Sequence, residues 1–457
     1  MKERRRLVGK KYLVLFFASV ALSVLFIALT VRFIATEVFY IVEIFCLAFT
    51  VFITARLFKD VRLTSLFCIL SLFFPVSSLL FCASALSFGK KTKRKLRANG
   101  KTNENFSSSF TATEYYPTGE EFFKSLMLGL ENAKELILLE YYIVKPGKVW
   151  ESIKNVLEKK SRSGVKIIII LDNFGSAKMP QNLQKWLKSH NIECFLYNRL
   201  LPLPNLGFTF RTHRKIAVID DEVYLGGINL ADEYINEGQS FAYFKDAAVK
   251  LKGETAARFA EYFSAEFKAV TVQNTKNKCD VLFNTPLTNN AITERIIAEI
   301  YKAKQVLIAT PYLAPTEGEL SAIKYAAKNG AEVKIFLPAV PDKKTAFSVS
   351  LANAEILLRY GLKIYLFTPG FLHSKLFLTE NVAAAGSANY DYRSAFFQRE
   401  VFVFTDEKTL SDKIKNDFSM IEKSSSVFSP DAGNKSKTSV FFMKIKRAFF
   451  FFISPLF

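Results

Sequence analysis

A short pattern that occurs twice constrains this 457-residue chain most strongly. The sequence His-x-Lys stands at residues 213–215 and again at 373–375, each time next to an apolar, strand-like stretch. A turn of small residues follows each copy at the same interval and ends at Asn229 or Asn389, so that both the histidines and the asparagines are 160 residues apart. A repeat held in register indicates two similar halves whose half-sites meet.

The repeated residues suit chemistry on a phosphate. Side chains two positions apart on a strand share one face, so each histidine lies beside a lysine. A neutral imidazole can attack phosphorus, and a protonated one can protonate the leaving oxygen. The chain has only three histidines, and the symmetry of the repeat leaves open which of His213 and His373 is the nucleophile. The groups expected to hold phosphoryl oxygens are Lys215, Lys375, Asn229 and Asn389.

Further stretches repeat around the two histidines. Residues 133–142 parallel 303–312, and residues 164–172 parallel 330–338. In each half, helical patterns alternate with continuous Ile, Val and Leu runs, which is typical of a sheet covered on both faces. The pattern predicts two α/β domains related by a pseudo-twofold axis, with the site in the cleft between them.

These residues resemble the phospholipase D superfamily, whose HxKxxxxD motif and following Gly-x-x-Asn are present twice. Residues 303–315, 326–342, 369–375 and 386–394 are similar to the second half of bacterial cardiolipin synthases. The resemblance covers roughly residues 60 to 457. It implies two phospholipase D-like sandwich domains preceded by N-terminal transmembrane helices.

The resemblance assigns further residues to the site. It implies that Asp246 and Glu400 orient an imidazole, and that the Ser387 hydroxyl lies near the substrate, where the first half has Gly227. Asp220 and Glu380 complete the motif and so join the catalytic set. Their odd offset of seven residues from histidine makes them face away from it on a continuous strand, which predicts structural roles instead.

Charge and hydropathy indicate a membrane. The formal net charge is +20, and residues 1–11 and 90–101 contribute +5 and +7 of it. These basic clusters flank three apolar segments, at about 12–31, 38–55 and 63–88, which predict two or three transmembrane segments next to anionic lipid. A nucleic acid is not expected as a partner. The five cysteines form neither a disulfide framework nor a metal motif, so no metal is expected.

The domain boundaries follow from composition. We expect a membrane region at 1–97, a polar linker at 98–113, and domains at 114–275 and 276–430. The basic and aromatic tail at 431–457 is too short to span a bilayer and predicts an anchor at the membrane interface.

The resemblance implies a function. It predicts a multi-pass enzyme of the bacterial cell membrane that transfers a phosphatidyl group between two phosphatidylglycerol molecules without a cofactor, giving cardiolipin and glycerol. A hydrolase would use the same residues with water as acceptor, and a membrane scaffold would use none of them. The sequence leaves the oligomeric state open.

Overall fold

In a computed structural model, the structure describes residues 36–58, 60–73, 105–177, 179, 183–198, 210–238, 241–263, 277–430, 445, 448–451 and 453–454. The helices are α1 Thr36–Phe58, α2 Val61–Phe73, α3 Gly119–Asn132, α4 Lys148–Arg162, α5 Leu183–Ser189, α6 Glu254–Phe263, α7 Ala291–Lys302, α8 Glu317–Lys328, α9 Lys344–Leu358 and α10 Lys408–Lys423. A 3₁₀ turn at Asp232–Ile235 and a π turn at Arg393–Phe397 occupy matching places after the two asparagines.

The strands, in chain order, are β1 Phe106–Ser109, β2 Thr113–Tyr116, β3 Leu136–Tyr141, β4 Lys166–Asp172, β5 Glu193–Tyr197, β6 Arg211–Thr212, β7 Lys215–Ile219, β8 Glu222–Gly226, β9 Phe244–Lys245, β10 Ala248–Lys252, β11 Lys278–Thr285, β12 Asn289–Asn290, β13 Gln305–Ala309, β14 Leu313–Ala314, β15 Glu332–Pro338, β16 Lys363–Phe367, β17 Phe371–Leu372, β18 Leu376–Thr379, β19 Ala383–Gly386, β20 Tyr390–Asp391, β21 Gln398–Thr405 and β22 Ser425–Val427.

The two halves have the same sheet topology. The first sheet has the order β2-β10-β8-β7-β3-β4-β5, and the second contains β11-β21-β19-β18-β13-β15-β16 in matching positions. In both, the strand that follows the histidine lies near the centre of its sheet and pairs antiparallel with the first apolar strand of its half, β3 or β13. The predicted α/β architecture of two similar halves is confirmed.

The side chains of each strand divide between two cores, with a period of two. In β3, Leu136 and Leu138 join a core shared by both sheets with α6 and α10, whereas Ile137 and Leu139 pack against α3 and α4. The second sheet buries its other face against α7, α8 and α9. The two sheets therefore face each other across a common apolar layer, and helices cover both outer faces.

Two short parallel strand pairs join the halves. β9 of the first half pairs with β17 of the second, and β6 of the first half pairs with the beginning of β21. β6 ends at the residue before His213, and β17 ends at the residue before His373. The pseudo-twofold axis thus relates two inter-domain contacts, and each contact positions one histidine.

The stretch that precedes the domains differs from the expectation. Residues 106–109, inside the predicted linker, form β1 and extend the second sheet by pairing with β11. The linker prediction is wrong for these residues, because Phe106 packs against Phe259 and the buried Ser108 hydroxyl lies 2.9 Å from that of Thr255. Residues 98–104 of that stretch lie outside the described residues.

The predicted membrane region is described only in part. The segment at 12–31 and both basic clusters lie outside the described residues, while α1 covers 38–55 and α2 covers the beginning of 63–88. Where the helices are described with their side chains, none is both long and apolar enough to cross a bilayer. The tail at 431–457 is described at seven residues, two of which contact α2 through Arg62.

Candidate active site

Both histidines of the repeat are held by matching backbone contacts. The N–H of His213 donates to the carbonyl of Arg399 at 2.9 Å, and the N–H of His373 donates to that of Lys245 at 2.7 Å. Each bond continues the inter-domain strand pair that ends just before the histidine. The backbone of one half therefore positions the imidazole of the other.

Each imidazole pairs with a carboxylate from the opposite half. His213 Nδ1 lies 2.9 Å from Glu400 Oε1, and His373 Nδ1 lies 2.6 Å from Asp246 Oδ2. A carboxylate at Nδ1 fixes the tautomer that carries its proton there, which leaves the lone pair on Nε2. The structure thus brings together the two predicted histidines and the two predicted acids, and their pairing is exchanged between the halves.

The two lysines lie beneath the histidines. Lys215 and Lys375 are 1% and 2% exposed, and each Nζ donates to the carbonyl of the histidine two residues earlier. Burial lowers the pKa of Lys215 to about 7 and that of Lys375 to about 8. An anionic phosphodiester in this position would favour the charged form of both.

The imidazoles are neutral at neutral pH in the free protein. Burial and the nearby Lys215 and Lys375 lower the pKa of His213 well below its ordinary value. Burial and Lys375 lower the pKa of His373 to about 4, against the opposing effect of Asp246. Neutral imidazole is the nucleophilic form, and a bound anion would offset the lysine charges that disfavour protonation.

The two acids differ in a way that distinguishes the histidines. Burial raises the pKa of Glu400 to about 7, although Lys215 partly offsets it. For Asp246 burial acts in the same direction, but Lys375 and His373 outweigh it and hold the pKa below its ordinary value. An ionised carboxylate stabilises an imidazolium better than a protonated one does, so the acid role fits His373 and the nucleophilic role fits His213.

Aromatic rings contact both imidazoles. The Tyr142 ring meets His213 edge-on, with centroids 5.0 Å apart, and Phe244, Phe371 and Tyr234 lie within 5.7 Å of His373. These walls limit the access of water to the flanks of the histidines. Over the described residues, no group of three or more His, Cys, Asp or Glu side chains could hold a metal ion.

The two asparagines are not equivalent. Asn229 is 1% exposed, accepts from the N–H of Ile143 at 3.0 Å and donates to the hydroxyl of Tyr234 at 2.5 Å. The NH₂ group has two donors, so one N–H of Asn229 is left for a phosphate oxygen, and the predicted role of Asn229 stays a prediction. Asn389 is more exposed, and its Oδ1 is without a hydrogen-bond partner among the described residues. Its NH₂ group donates to the Asp391 carboxylate, which holds the amide in this orientation, so the predicted role of Asn389 toward a phosphate stays a prediction.

Ser387 acts on an acid instead of on substrate. It is fully buried, and its hydroxyl donates to Glu400 Oε2 at 2.5 Å. This corrects its predicted substrate-binding role. At the equivalent Gly227, a Cβ would lie 2.1 Å from Asp246 Oδ1, so the shorter acid fills the space that a side chain would take.

Asp220 and Glu380 lie outside the cleft, at the far ends of the histidine strands. Asp220 accepts from the N–H groups of Lys134, Glu135 and Leu136 at 2.7 to 2.9 Å, in the left-handed region at φ 48°. Glu380 accepts in the same way from Lys304 and Gln305. These contacts agree with the structural role that their offset predicts, and they remove both residues from the catalytic set.

We expect Asp220→Ala to destabilise the protein without changing the chemistry. It leaves three backbone N–H groups without their acceptor and forces alanine into a left-handed conformation, at a cost of about 2–4 kcal/mol. Thermal unfolding should show a lower midpoint, while turnover per folded molecule should match the wild type. Asp221→Ala, one residue later, is the matched control. A loss of turnover that exceeds the loss of folded protein would return Asp220 to the site.

Sequence reasoning missed a buried charged network behind His213. Asp172 accepts from Arg211 at 3.2 Å and from the N–H of Thr212 at 3.1 Å, and the Thr212 hydroxyl donates to Glu140. Glu140 also lies 3.9 Å from Arg214 and from Arg399. The sequence signal for this network was one acid within each of two otherwise apolar strands, Glu140 in β3 and Asp172 in β4. The aligned positions of the second half are Thr310 and Pro338, so this support is confined to the first half.

A known family shares this arrangement. A family model described as cardiolipin synthase, PLD-like domain, matches residues 127–270 and 296–421, which together make up more than half of the chain and contain one His-x-Lys each. The chain belongs to this family. The resemblance found in the sequence is confirmed, and so is the expected enzyme class, the phosphatidyltransferases.

Relatives of this cardiolipin synthase family align over most of the catalytic region. Cardiolipin synthase 2 of Bacillus cereus is 33% identical over 330 residues, which are 67% of this chain and 64% of that protein. Cardiolipin synthase of Staphylococcus aureus is 31% identical over 337 residues, 69% of this chain and 68% of the relative. An uncharacterised protein of Streptococcus mutans is 33% identical, with 72% and 76% covered. The chain thus spans about two thirds of the length of the named relatives.

The fold also has a solved counterpart. The crystal structure of phosphatidylserine synthase from Haemophilus influenzae superposes with a TM-score of 0.61, at 14% identity, over 80% of this chain and all of that one. At that identity the likeness shows the fold alone. It agrees with two phospholipase D-like domains in one chain.

Proposed function

We propose that this protein is a cardiolipin synthase that transfers a phosphatidyl group from one phosphatidylglycerol to another. The observation that carries the proposal is the pair of imidazoles, each held at Nδ1 by an acid of the opposite half, above two buried lysines. This arrangement supplies a nucleophile, an acid and positive charge for one phosphodiester.

In the first step, Nε2 of His213 attacks phosphorus. His373 takes up a proton on Nε2 when the anionic substrate binds, because that anion offsets the nearby lysine charges. A P–N bond then forms as the P–O bond to the glycerol headgroup breaks, and His373 gives this proton to the departing oxygen. Glycerol leaves, and a phosphatidyl group stays on His213. Lys215 and Lys375 would stabilise the charge that develops on the phosphoryl oxygens.

In the second step, the roles of His373 reverse. Its neutral Nε2 takes the proton from a headgroup hydroxyl of a second phosphatidylglycerol, whose oxygen attacks phosphorus as the P–N bond breaks. The product is cardiolipin, and both imidazoles return to their starting protonation. The ionised Asp246 stabilises the imidazolium of His373 at each stage.

We further propose that the protein works at the bacterial cell membrane. Large apolar side chains of α1 and of the C-terminal tail are exposed, among them Ile44, Phe45, Phe52 and Phe449. The strongly basic segments at 1–11 and 90–101 favour anionic lipid nearby. A lipid-embedded substrate suits an enzyme attached in this way.

The product identifies the acceptor. Purified protein in phosphatidylglycerol liposomes should give cardiolipin and glycerol in equal amounts, measured by mass spectrometry. Phosphatidic acid in place of cardiolipin would mean that water is the acceptor and that the protein is a hydrolase. The absence of turnover, with no lipid trapped on histidine, would leave a scaffold.

We expect the second-order rate constant kcat/KM to fall as the pH rises through about 7 to 8. It reports the free enzyme, in which burial places the pKa of Lys215 at about 7 and that of Lys375 at about 8. Below these values both ammonium groups bind the phosphodiester, and above them they are neutral. Bound substrate stabilises the charge, so the fall in kcat should come at higher pH. A kcat/KM that stays flat from pH 6 to 9 would contradict this account.

A further inference from the structure

A buried carboxylate ahead of the catalytic domains connects three parts of the chain. Asp60 is 5% exposed, and its Oδ1 accepts from the N–H of Leu63 at 2.9 Å, at the start of α2. Its Oδ2 accepts from the N–H of Glu317 at 2.9 Å, at the start of α8 in the second domain. The hydroxyl of Tyr392 also donates to Oδ1, at 3.2 Å. One side chain thus joins the N-terminal helix to the loop after Asn389.

The neighbouring Arg62 connects the C-terminal tail to the same place. Its guanidinium donates to the carbonyl of Phe451 at 2.6 Å and to the hydroxyl of Ser454, and it lies 4.0 Å above the Phe451 ring. It also approaches Glu317 at 3.9 Å. Both segments that we propose to meet the membrane therefore converge on the beginning of α2.

The contact continues from Tyr392 to His213. Tyr392 opens the π turn, in which Asp391 accepts from the N–H of Ser394 at 2.7 Å. The Ser394 hydroxyl donates to Glu400 Oε1 at 2.9 Å, and Glu400 pairs with His213. An apolar cluster supports this path, made by Leu63, Phe67, Phe210, Tyr392, Ala395, Phe396 and Phe397.

The first half contains the contact that Asp60 replaces in the second half. Asp232 stands three residues after Asn229 and accepts from the N–H groups of Lys148 and Val149 at 2.9 Å, so that it ties its loop directly to the start of α4. The equivalent position after Asn389 is Tyr392, which has no carboxylate to offer α8. Asp60 supplies one, and Tyr392 binds to it. The second half-site thus takes from the N-terminal helix a contact that the first makes within its own domain.

We propose that Asp60 and α2 are positioning elements of the active site, which hold the Tyr392 loop so that Ser394 keeps Glu400 in place against His213. The proposal rests on the proposed function for the role of His213. It makes the membrane-proximal helix, the C-terminal tail and the nucleophile one connected unit.

The test uses Asp60→Ala, Tyr392→Phe and the double variant in the full-length protein. Radiolabelled phosphatidylglycerol and rapid acid quenching measure the rate and amplitude at which lipid accumulates on the enzyme. We expect each single variant to form the intermediate about tenfold more slowly, at unchanged KM and full amplitude, because a displaced partner misaligns the nucleophile. The double variant should be no slower than the worse single one, since both remove the same contact. Asp412→Ala and Tyr325→Phe, on exposed helix positions, are the matched controls.

A second measurement is independent of the chemistry. Hydrogen–deuterium exchange should show faster exchange across 389–400 in both variants and not in the controls. If the wild type forms no covalent intermediate, the proposed function fails, while faster loop exchange in the variants still supports the positioning role. Variants that form the intermediate at the wild-type rate would overturn the inference. So would variants in which residues 389–400 exchange as slowly as in the wild type. A reduced amplitude at an unchanged rate would also overturn it, because that result means lost folded protein.

Discussion

His213→Ala will abolish phosphatidyl transfer, and His373→Ala will reduce it by about 10⁴-fold or more, as removal of a central catalytic group does elsewhere. The two losses have different causes. Without His213 no P–N bond can form, so no lipid can be trapped on the enzyme. Without His373 the nucleophile remains, but glycerol must leave as an unprotonated alkoxide.

A substrate with a better leaving group separates these causes. Phosphatidyl-p-nitrophenol releases a phenolate that needs no proton, so His373→Ala should form the intermediate from it at close to the wild-type rate. His213→Ala should stay inactive on it. The release of p-nitrophenolate is followed by absorbance. His190→Ala, which removes the remaining histidine, half-buried against Trp186, is the control. Rescue of His213→Ala in place of His373→Ala would exchange the two roles.

Asp246→Asn and Glu400→Gln will each lower turnover by about 10²- to 10³-fold, since an amide neither fixes the imidazole tautomer nor stabilises its charge. Rescue by a better leaving group should depend on the histidine that each acid contacts and not on the half of the chain in which the acid lies. Asp246 lies in the first half but pairs with His373, so Asp246→Asn should be rescued by p-nitrophenol as a leaving group. Glu400→Gln should not be, because its partner is the nucleophile His213.

The dependence of the rate on the leaving group therefore shows which acid pairs with which histidine. Asp417→Asn, which removes a buried acid that binds Lys245, offers a control for general disturbance near the site. It should lower stability and keep the wild-type response to the leaving group. Rescue of Glu400→Gln with no rescue of Asp246→Asn would mean that each acid serves the histidine of its own half.

The fold was predictable because its signals are local. The apolar runs at 136–141 and 305–309 alternate with helical patterns, and that alternation determines an α/β sheet within each half. The 160-residue repeat added the symmetry, and the odd offset of Asp220 and Glu380 placed them away from the histidines. None of these inferences needed a distance between the halves.

The contacts across the cleft could not be read in the same way. Which acid meets His213 depends on β6 and β9 pairing with the opposite domain, and both strands are two residues long. No periodicity exists in so short a segment. Ser387 was assigned to substrate for a related reason, because a hydroxyl beside a phosphate site does not reveal that a buried carboxylate lies behind it.

Asn229 shows another limit. Its amide type suits a phosphate, but the sequence does not reveal that part of the amide is bound to the Ile143 N–H, just after β3, and to the Tyr234 hydroxyl in the following turn. The network of Glu140 and Asp172 was visible as acids in apolar strands, yet its partners come from the stretch at 211–214 and from β21. Charge in an apolar run can indicate a buried partner without identifying it.

The exchange of acids between the halves also bears on how such a protein could arise. A single ancestral domain would have carried a histidine and an acid that could not reach each other, since each is aimed across the axis. Two copies docked as a symmetric dimer would have completed both pairs at once. Fusion of two such genes would have kept an existing catalytic centre, and only afterwards could Asp246 and Glu400, or Gly227 and Ser387, diverge.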